Sequence, residues 1–501
     1  MTTSKDIEKR ADPSVGERRT NPVDEPRILN KESKFRSLDK FAKVLGAEIQ
    51  GNDPIAPEEK KDRRYLKLFT LWFSMDFNLL SVSTGMSGTL GFGLGLRDCS
   101  LIILFFSLLV ALVAPFLSLF GVKLGIRQMI HARFSFGKYG VAIPLVLNMA
   151  TIVGYAILGS ILGGQALSAI NPENLSVNVG IVILAVINLV LIFFGSRIIH
   201  QFDLYAWFPT LLAILVAVGC GGNKLYNQVD TEPATASNVL SFGALIAGFF
   251  LSWASIASDF TTYYDSQARS TTVFATSYLG LVVSSVPLMV LGAAIGGAVP
   301  NIPAWEEGYT SNSVGGVLAA MLEPVGGFGK FLLVLLALSG LANMVGSVYA
   351  LTLNFQALFW LVRIRIPRLV FTLVATALII PVGIKVAADF LSSLSNFLGI
   401  IGYWSACFSA VVLVEHFVFR KGLMESYNLD VWDKAKALPT GAAAIVASIC
   451  SFGMVIPGMS QVWFTGPVAV YTGDIGFEMA FVLTAVFYVP FRYIERKMIG
   501  H

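Results

Sequence analysis

The chain has 501 residues, 55% of them hydrophobic and only 14% charged, with a formal net charge of +4. Its mean hydropathy is +0.69. Such a composition excludes a soluble domain and a nucleic-acid-binding surface, and matches a polytopic membrane protein. Four scattered cysteines (Cys99, Cys220, Cys407, Cys450) show neither metal nor disulfide spacing, and the polar first 65 residues contain no cleavable signal peptide.

Residues 1–65 are rich in Lys, Arg, Glu, Asp and Pro and are expected to form a disordered cytosolic N-terminal tail. Twelve spans are predicted after it, near 67–92, 100–122, 140–169, 178–196, 203–220, 239–261, 272–299, 328–360, 367–388, 391–417, 439–458 and 475–494. The fold class is therefore all-α. Spans one to ten form an expected transport core over 66–420, and 421–501 holds a loop, spans eleven and twelve, and a short cytosolic C-terminus.

Span one reads Trp72-Phe73-Ser74-Met75-Asp76-Phe77-Asn78, followed by Ser81, Ser83, Thr84, Gly85 and Gly88, all within a run that must cross lipid. Span six, five spans later, runs through Phe249-Phe250-Leu251-Ser252-Trp253 to Ser258-Asp259-Phe260. A carboxylate at the centre of a spanning helix costs about 2.5–3.5 kcal/mol on insertion scales, so Asp76 and Asp259 should face a cavity or a partner. Broken helices at corresponding places in two five-span halves are the signature of an inverted-repeat secondary transporter with its site near the midplane. Close packing through glycine accounts for Gly85 and Gly88 but not for the carboxylates.

Basic residues set the orientation. Lys123, Arg127, Arg133 and Lys138 follow span two; Arg363, Arg365 and Arg368 follow span eight; Arg420, Lys421, Lys434 and Lys436 follow span ten. The alternate loops carry few, so both termini are expected in the cytosol. Asn174-Leu175-Ser176 is then a glycosylation sequon on the outer side.

Three stretches carry a family resemblance: His200-Gln201-Phe202-Asp203-Leu204-Tyr205-Ala206-Trp207-Phe208-Pro209, then Phe397-Leu398-Gly399-Ile400-Ile401-Gly402-Tyr403-Trp404 running on to Glu415-His416-Phe417, and Leu438-Pro439-Thr440-Gly441 with Gly458-Met459-Ser460-Gln461-Val462-Trp463. They resemble the fungal purine–cytosine permeases of the nucleobase–cation symporter-1 family over about residues 66–500. The resemblance implies a LeuT-like five-plus-five inverted repeat plus two C-terminal helices, with substrate held between spans one, three, six and eight. It also implies a plasma-membrane importer that needs no cofactor beyond a coupling cation.

A flat heterocycle needs aromatic faces to stack on and a few polar groups to read its edge. By the resemblance, Trp253 and Tyr155 are the stacking platforms, Asn343 is a polar contact, and Ser81, Ser83 and Thr84 bracket a substrate-facing hydroxyl. The pattern breaks at Gly159, where the family shows an amide, and at Met344, Gly346 and Ser347, where it shows Asn, Pro and Asn. Losing buried hydrogen-bonding groups changes selectivity, so a pyridine such as a B6 vitamer stands beside cytosine and purines as the expected substrate. Proton coupling is expected, because Ala342 and Asn343 furnish a sodium cage poorly. Asp259 or Asp203 would carry the proton, with Asp76 third. Two rival classes are weaker. A membrane enzyme would need a nucleophile–base pair or a metal cluster, and only four histidines are present, with no H-E-x-x-H. A transporter-like receptor that binds without translocating would usually show a long folded cytosolic extension.

Overall fold

The computed structural model describes residues 52–193, 205–361 and 368–499. Asp203, the His200–Asp203 motif, Arg363 and Arg365 lie outside these residues. Eight helical runs are long and apolar enough to cross a membrane. One of them, Val370–Phe419, covers two expected spans, nine and ten, as the helices Arg368–Val386 and Phe390–Val414. The shorter apolar helices Val177–Phe193 and Ala442–Gly458 fall on spans four and eleven. Span one is split into Tyr65–Asp76 and Leu79–Leu90, so the described helices coincide with all twelve expected spans.

Asn78 is the physical cause of the first break. Its backbone is extended (φ −151°, ψ 179°), its Oδ1 accepts from Leu80 N at 2.8 Å, and its Nδ2 donates to the Met75 carbonyl at 2.7 Å. One side chain thereby caps the start of one half-helix and the end of the other. Ser81 Oγ reaches back to the Asp76 carbonyl at 2.6 Å, so the freed backbone groups are satisfied in the absence of water.

Span six breaks by a different route. The helix Ala236–Leu251 tightens into a 3₁₀ turn, Ser252–Ser255, pivots at Ile256 (φ −132°, ψ 4°), and makes a second short turn, Ala257–Phe260. Ser252 and Ser255 donate to Phe249 O and Ser252 O, both at 2.8 Å. Hydroxyls bonded back to the chain in this way compete with the regular helical ladder.

The second half of span one lies backbone-to-backbone on span seven, Ser270–Ala298. A Cβ on Gly85 would overlap the Met289 carbonyl, and one on Gly292 would overlap the Val82 carbonyl. Between spans seven and eight, Pro303–Leu322 is not one helix but two, folded back at Asn312 and Ser313. Gly308 faces Gly316 across the fold, and Gly315 seats the pair against the Gln165–Ala166 backbone of span three.

The expectation of a wholly disordered tail up to residue 65 needs correction, since Asn52–Arg64 packs on the loops after spans two and six and on span eight. Ile55 N donates to Gly125 O at 2.9 Å, Asp62 N to Tyr263 O at 3.1 Å, and Asp265 N to Asp62 O at 2.9 Å. Asn52 Nδ2 donates to Leu353 O at 3.0 Å. Polar composition alone does not show that backbone groups will find partners on other loops.

Candidate substrate site

The two breaks converge on an aromatic cluster. Tyr155, from span three (Ala142–Ser168), and Trp253 lie nearly parallel, with ring centroids 6.3 Å apart and planes 17° apart. Tyr155 is held by its hydroxyl, 2.8 Å from Ser252 Oγ, and by the edge of Phe397 at 5.2 Å. Trp72 meets Trp253 at a right angle, 5.6 Å away. Both rings are buried, 6% and 4% exposed. A flat ring with van der Waals contact on each face needs planes separated by about 7 Å. With centroids only 6.3 Å apart, the two rings would have to part to admit one between them.

The polar candidates divide. Asn343 Nδ2 donates to the Met75 carbonyl at 3.1 Å, while Ser347 Oγ donates to Asn343 Oδ1 at 3.3 Å. Ser81, Ser83 and Thr84 are fully buried, and each donates to a backbone carbonyl: Asp76 O, Leu79 O and Leu80 O. Only their lone pairs remain for a ligand. Gly159 faces Met344, and a Cβ there would lie 3.1 Å from the Met344 Cγ and Sδ. Two departures from the family pattern are thus one packed contact, apolar where amides were expected. Beside it lies a cavity of about 10 Å³, lined by Asn78, Gly159, Ser339 and Gly340 among others, which is about enough for one water.

The carboxylates separate sharply. Asp76 is 0% exposed and sits at the first break, with Ser285 of span seven 3.4 Å from its Oδ2 and no hydrogen-bond partner at Oδ1. Asp259, expected to be a leading proton carrier, lies at the end of span six against the loop after span two. Its Oδ1 accepts from Gln128 N at 2.8 Å, and its carbonyl accepts from Arg127 Nη1 at 2.7 Å. Arg127 also donates to Tyr349 Oη at 3.1 Å, and Gln128 Oε1 accepts from Ser258 Oγ at 2.7 Å. Together these groups tie the end of span six to the loop after span two.

Sequence reasoning missed Trp72, Phe397, Ser285 and Asn148, whose side-chain amide lies 2.6 Å from Ser255 Oγ. Among them only Asn148, an amide inside span three, carried a signal. Trp404 is buried and donates to Thr151 Oγ1 at 3.0 Å.

Residues 54–477 match the family described as permeases for cytosine/purines, uracil, thiamine and allantoin. The chain belongs to this permease family. The purine-cytosine permease fcyB of Emericella nidulans is 32% identical over 475 residues, covering 94% of this chain and 93% of that one. Purine-cytosine permease FCY21 of Saccharomyces cerevisiae is 33% identical, with 94% and 90% covered. The vitamin B6 transporter TPN1 of Saccharomyces cerevisiae is 26% identical over 95% of this chain and 91% of its own. Among solved structures, Mhp1, a nucleobase-cation-symport-1 family transporter in a closed conformation with bromovinylhydantoin bound, superposes with a TM-score of 0.69 at 15% identity, covering 90% and 96% of the two chains. The permease is thus a multi-pass membrane transporter of the LeuT-like inverted-repeat fold and not an enzyme, as the helix breaks had implied.

Proposed function

We propose that the permease imports a small heterocyclic base across the plasma membrane by alternating access, coupled to proton symport, with both termini in the cytosol. The observation that carries this reading is the near-parallel Tyr155–Trp253 pair, set where the two broken helices meet. Residues 66–420 would form the moving core, with 421–501 buttressing it. The paired breaks support alternating access around a fixed midplane site. The basic loops after spans two, eight and ten support the orientation.

A proton is favoured over sodium by the Met75 carbonyl. It already accepts from Asn78 Nδ2 and Asn343 Nδ2, so N–H donors occupy the place where a cation would need free oxygen lone pairs. A second substrate reading, a B6-type pyridine, is supported by the apolar Gly159–Met344 contact. The test is uptake of labelled cytosine, adenine and pyridoxine into permease-deficient cells, in sodium-free buffer, with and without a protonophore. Accumulation of at least one compound that survives sodium removal and collapses with the protonophore is expected. Transport that requires sodium and ignores the protonophore would overturn proton coupling. Binding without uptake would favour a receptor.

A further inference from the structure

Asp76 has no counter-charge. Among the described residues it makes no ion pair, and it is completely buried at membrane depth. The groups that reach it are neutral: Ser285 on span seven and the Trp253 indole on span six, with the Tyr155 hydroxyl near enough to be felt electrostatically. The Trp253 indole N–H approaches the carboxyl without reaching hydrogen-bonding geometry, so it and Asp76 Oδ1 both remain unsatisfied.

The hydrogen count at Ser285 is decisive. Its hydroxyl owns one proton, and Leu281 O lies 2.8 Å away, against 3.4 Å for Asp76 Oδ2. With that proton spent on the nearer carbonyl, the hydroxyl turns a lone pair toward Asp76. Two facing lone pairs repel, whereas a carboxylic acid would supply the missing hydrogen and donate to Ser285 Oγ. A buried carboxylate without a cation is likewise accommodated in its neutral form.

We propose that Asp76 carries the coupling proton, inside the aromatic base site rather than at a separate station. The step is a plain protonation: Asp76 takes one proton from the outer side, becomes neutral, and donates to Ser285 while the site is closed. Opening to the cytosol brings water to the break, and the proton and the base leave together. The proposal rests on the proton-import reading above and assigns the group responsible for it.

The experiment uses the full chain reconstituted in proteoliposomes, with labelled cytosine, adenine and pyridoxine assayed in parallel for exchange and for accumulation driven by a pH gradient. Asp76→Asn imitates the neutral acid. Relative to its own exchange rate it should lose accumulation by about tenfold or more, and that ratio should become indifferent to pH. Asp76→Glu should retain accumulation with a displaced pH midpoint. Should Asp76→Asn fail to reach the membrane, Asp76→Glu and Ser285→Ala decide the matter: each should move the midpoint by about half a pH unit or more, and unchanged midpoints would overturn the assignment. Wild-type accumulation and pH profile in Asp76→Asn would overturn the assignment alone. A wild-type protein that ignores the pH gradient would overturn the import reading and the assignment with it.

Discussion

Trp253 meets one ring edge-on and a second face to face, so it is both fixed in orientation and able to hold a flat ligand. Stacking a base on an aromatic side chain is worth about 1–3 kcal/mol in alanine substitutions at nucleic-acid sites. Trp253→Ala should therefore reduce uptake by roughly 5- to 150-fold, with cell-surface protein unchanged as judged by surface labelling. Gly159 and Met344 should behave as a unit. Gly159→Asn alone pushes a side chain against Met344, 3.1 Å from the new Cβ, and should impair uptake of every compound. Gly159→Asn with Met344→Asn restores two amides without that crowding and should shift competition profiles toward cytosine and adenine. Adding Pro at 346 would crowd Met75, whose Cε lies 2.6 Å from a Cβ built there. At this scale the sequence was readable where a polar residue interrupts an apolar run, as at Asp76 and Asn78. It was opaque at Trp72 and Phe397, because an aromatic facing a binding site and one facing lipid look alike in a string of letters.

The broken helices were legible as elements for the same reason, but depth along them was not. Asp259 reads like a midplane carboxylate until Gln128 is seen beside it. The short helix Gln128–His131 that supplies this partner also holds a pH-sensitive group. His131 is buried, stacks on Phe120 at 3.9 Å, and has no hydrogen-bond partner at either ring nitrogen. Burial, then the charge of Arg420 and the neighbouring His416, hold it well below the ordinary histidine value of 6.5. A base whose titration is depressed on folding binds fewer protons than the unfolded chain, so stability is complete above about pH 6.5 and falls below it. With the proposed orientation, acidifying the cytosolic side to about pH 5.5 should thus loosen the packing of this loop. Labelling of a cysteine introduced at Ser347 by a reagent on the cytosolic side should rise as that pH falls. His131→Phe, which preserves the stacking, should flatten the response.

Over the whole molecule, spans eleven and twelve are fastened to the core by a buried ionic cluster. Glu415 accepts from Tyr488 Oη at 2.9 Å and from Arg492 Nε at 3.0 Å. Arg492 also donates to Glu495 at 3.1 Å, and Glu495 accepts from Gly441 N at 3.1 Å. Removing one partner of a buried pair typically costs about 3–5 kcal/mol; the loss at Arg492 should be smaller, because Arg420 Nε stays 3.2 Å from Glu415. Arg492→Met should lower the thermal stability of the purified protein measurably, and the double variant Glu415→Met with Arg492→Met should recover part of the loss. The twelve-span plan was readable because hydropathy reports lipid exposure directly. The helical hairpin between spans seven and eight and the packed Asn52–Arg64 segment were not, since each depends on distant partners.

The near-parallel Tyr155–Trp253 pair also has a pharmacological meaning. In the proposed site, a slot bounded by two ring faces would measure the thickness of its guest more strictly than its outline. Planar rings of different perimeter would pass through it, whereas a puckered, hydrogenated ring would hold the faces apart. A base analogue bearing a substituent perpendicular to its plane would then wedge the slot open, and it should act as a non-transported blocker whose potency rises with that thickness.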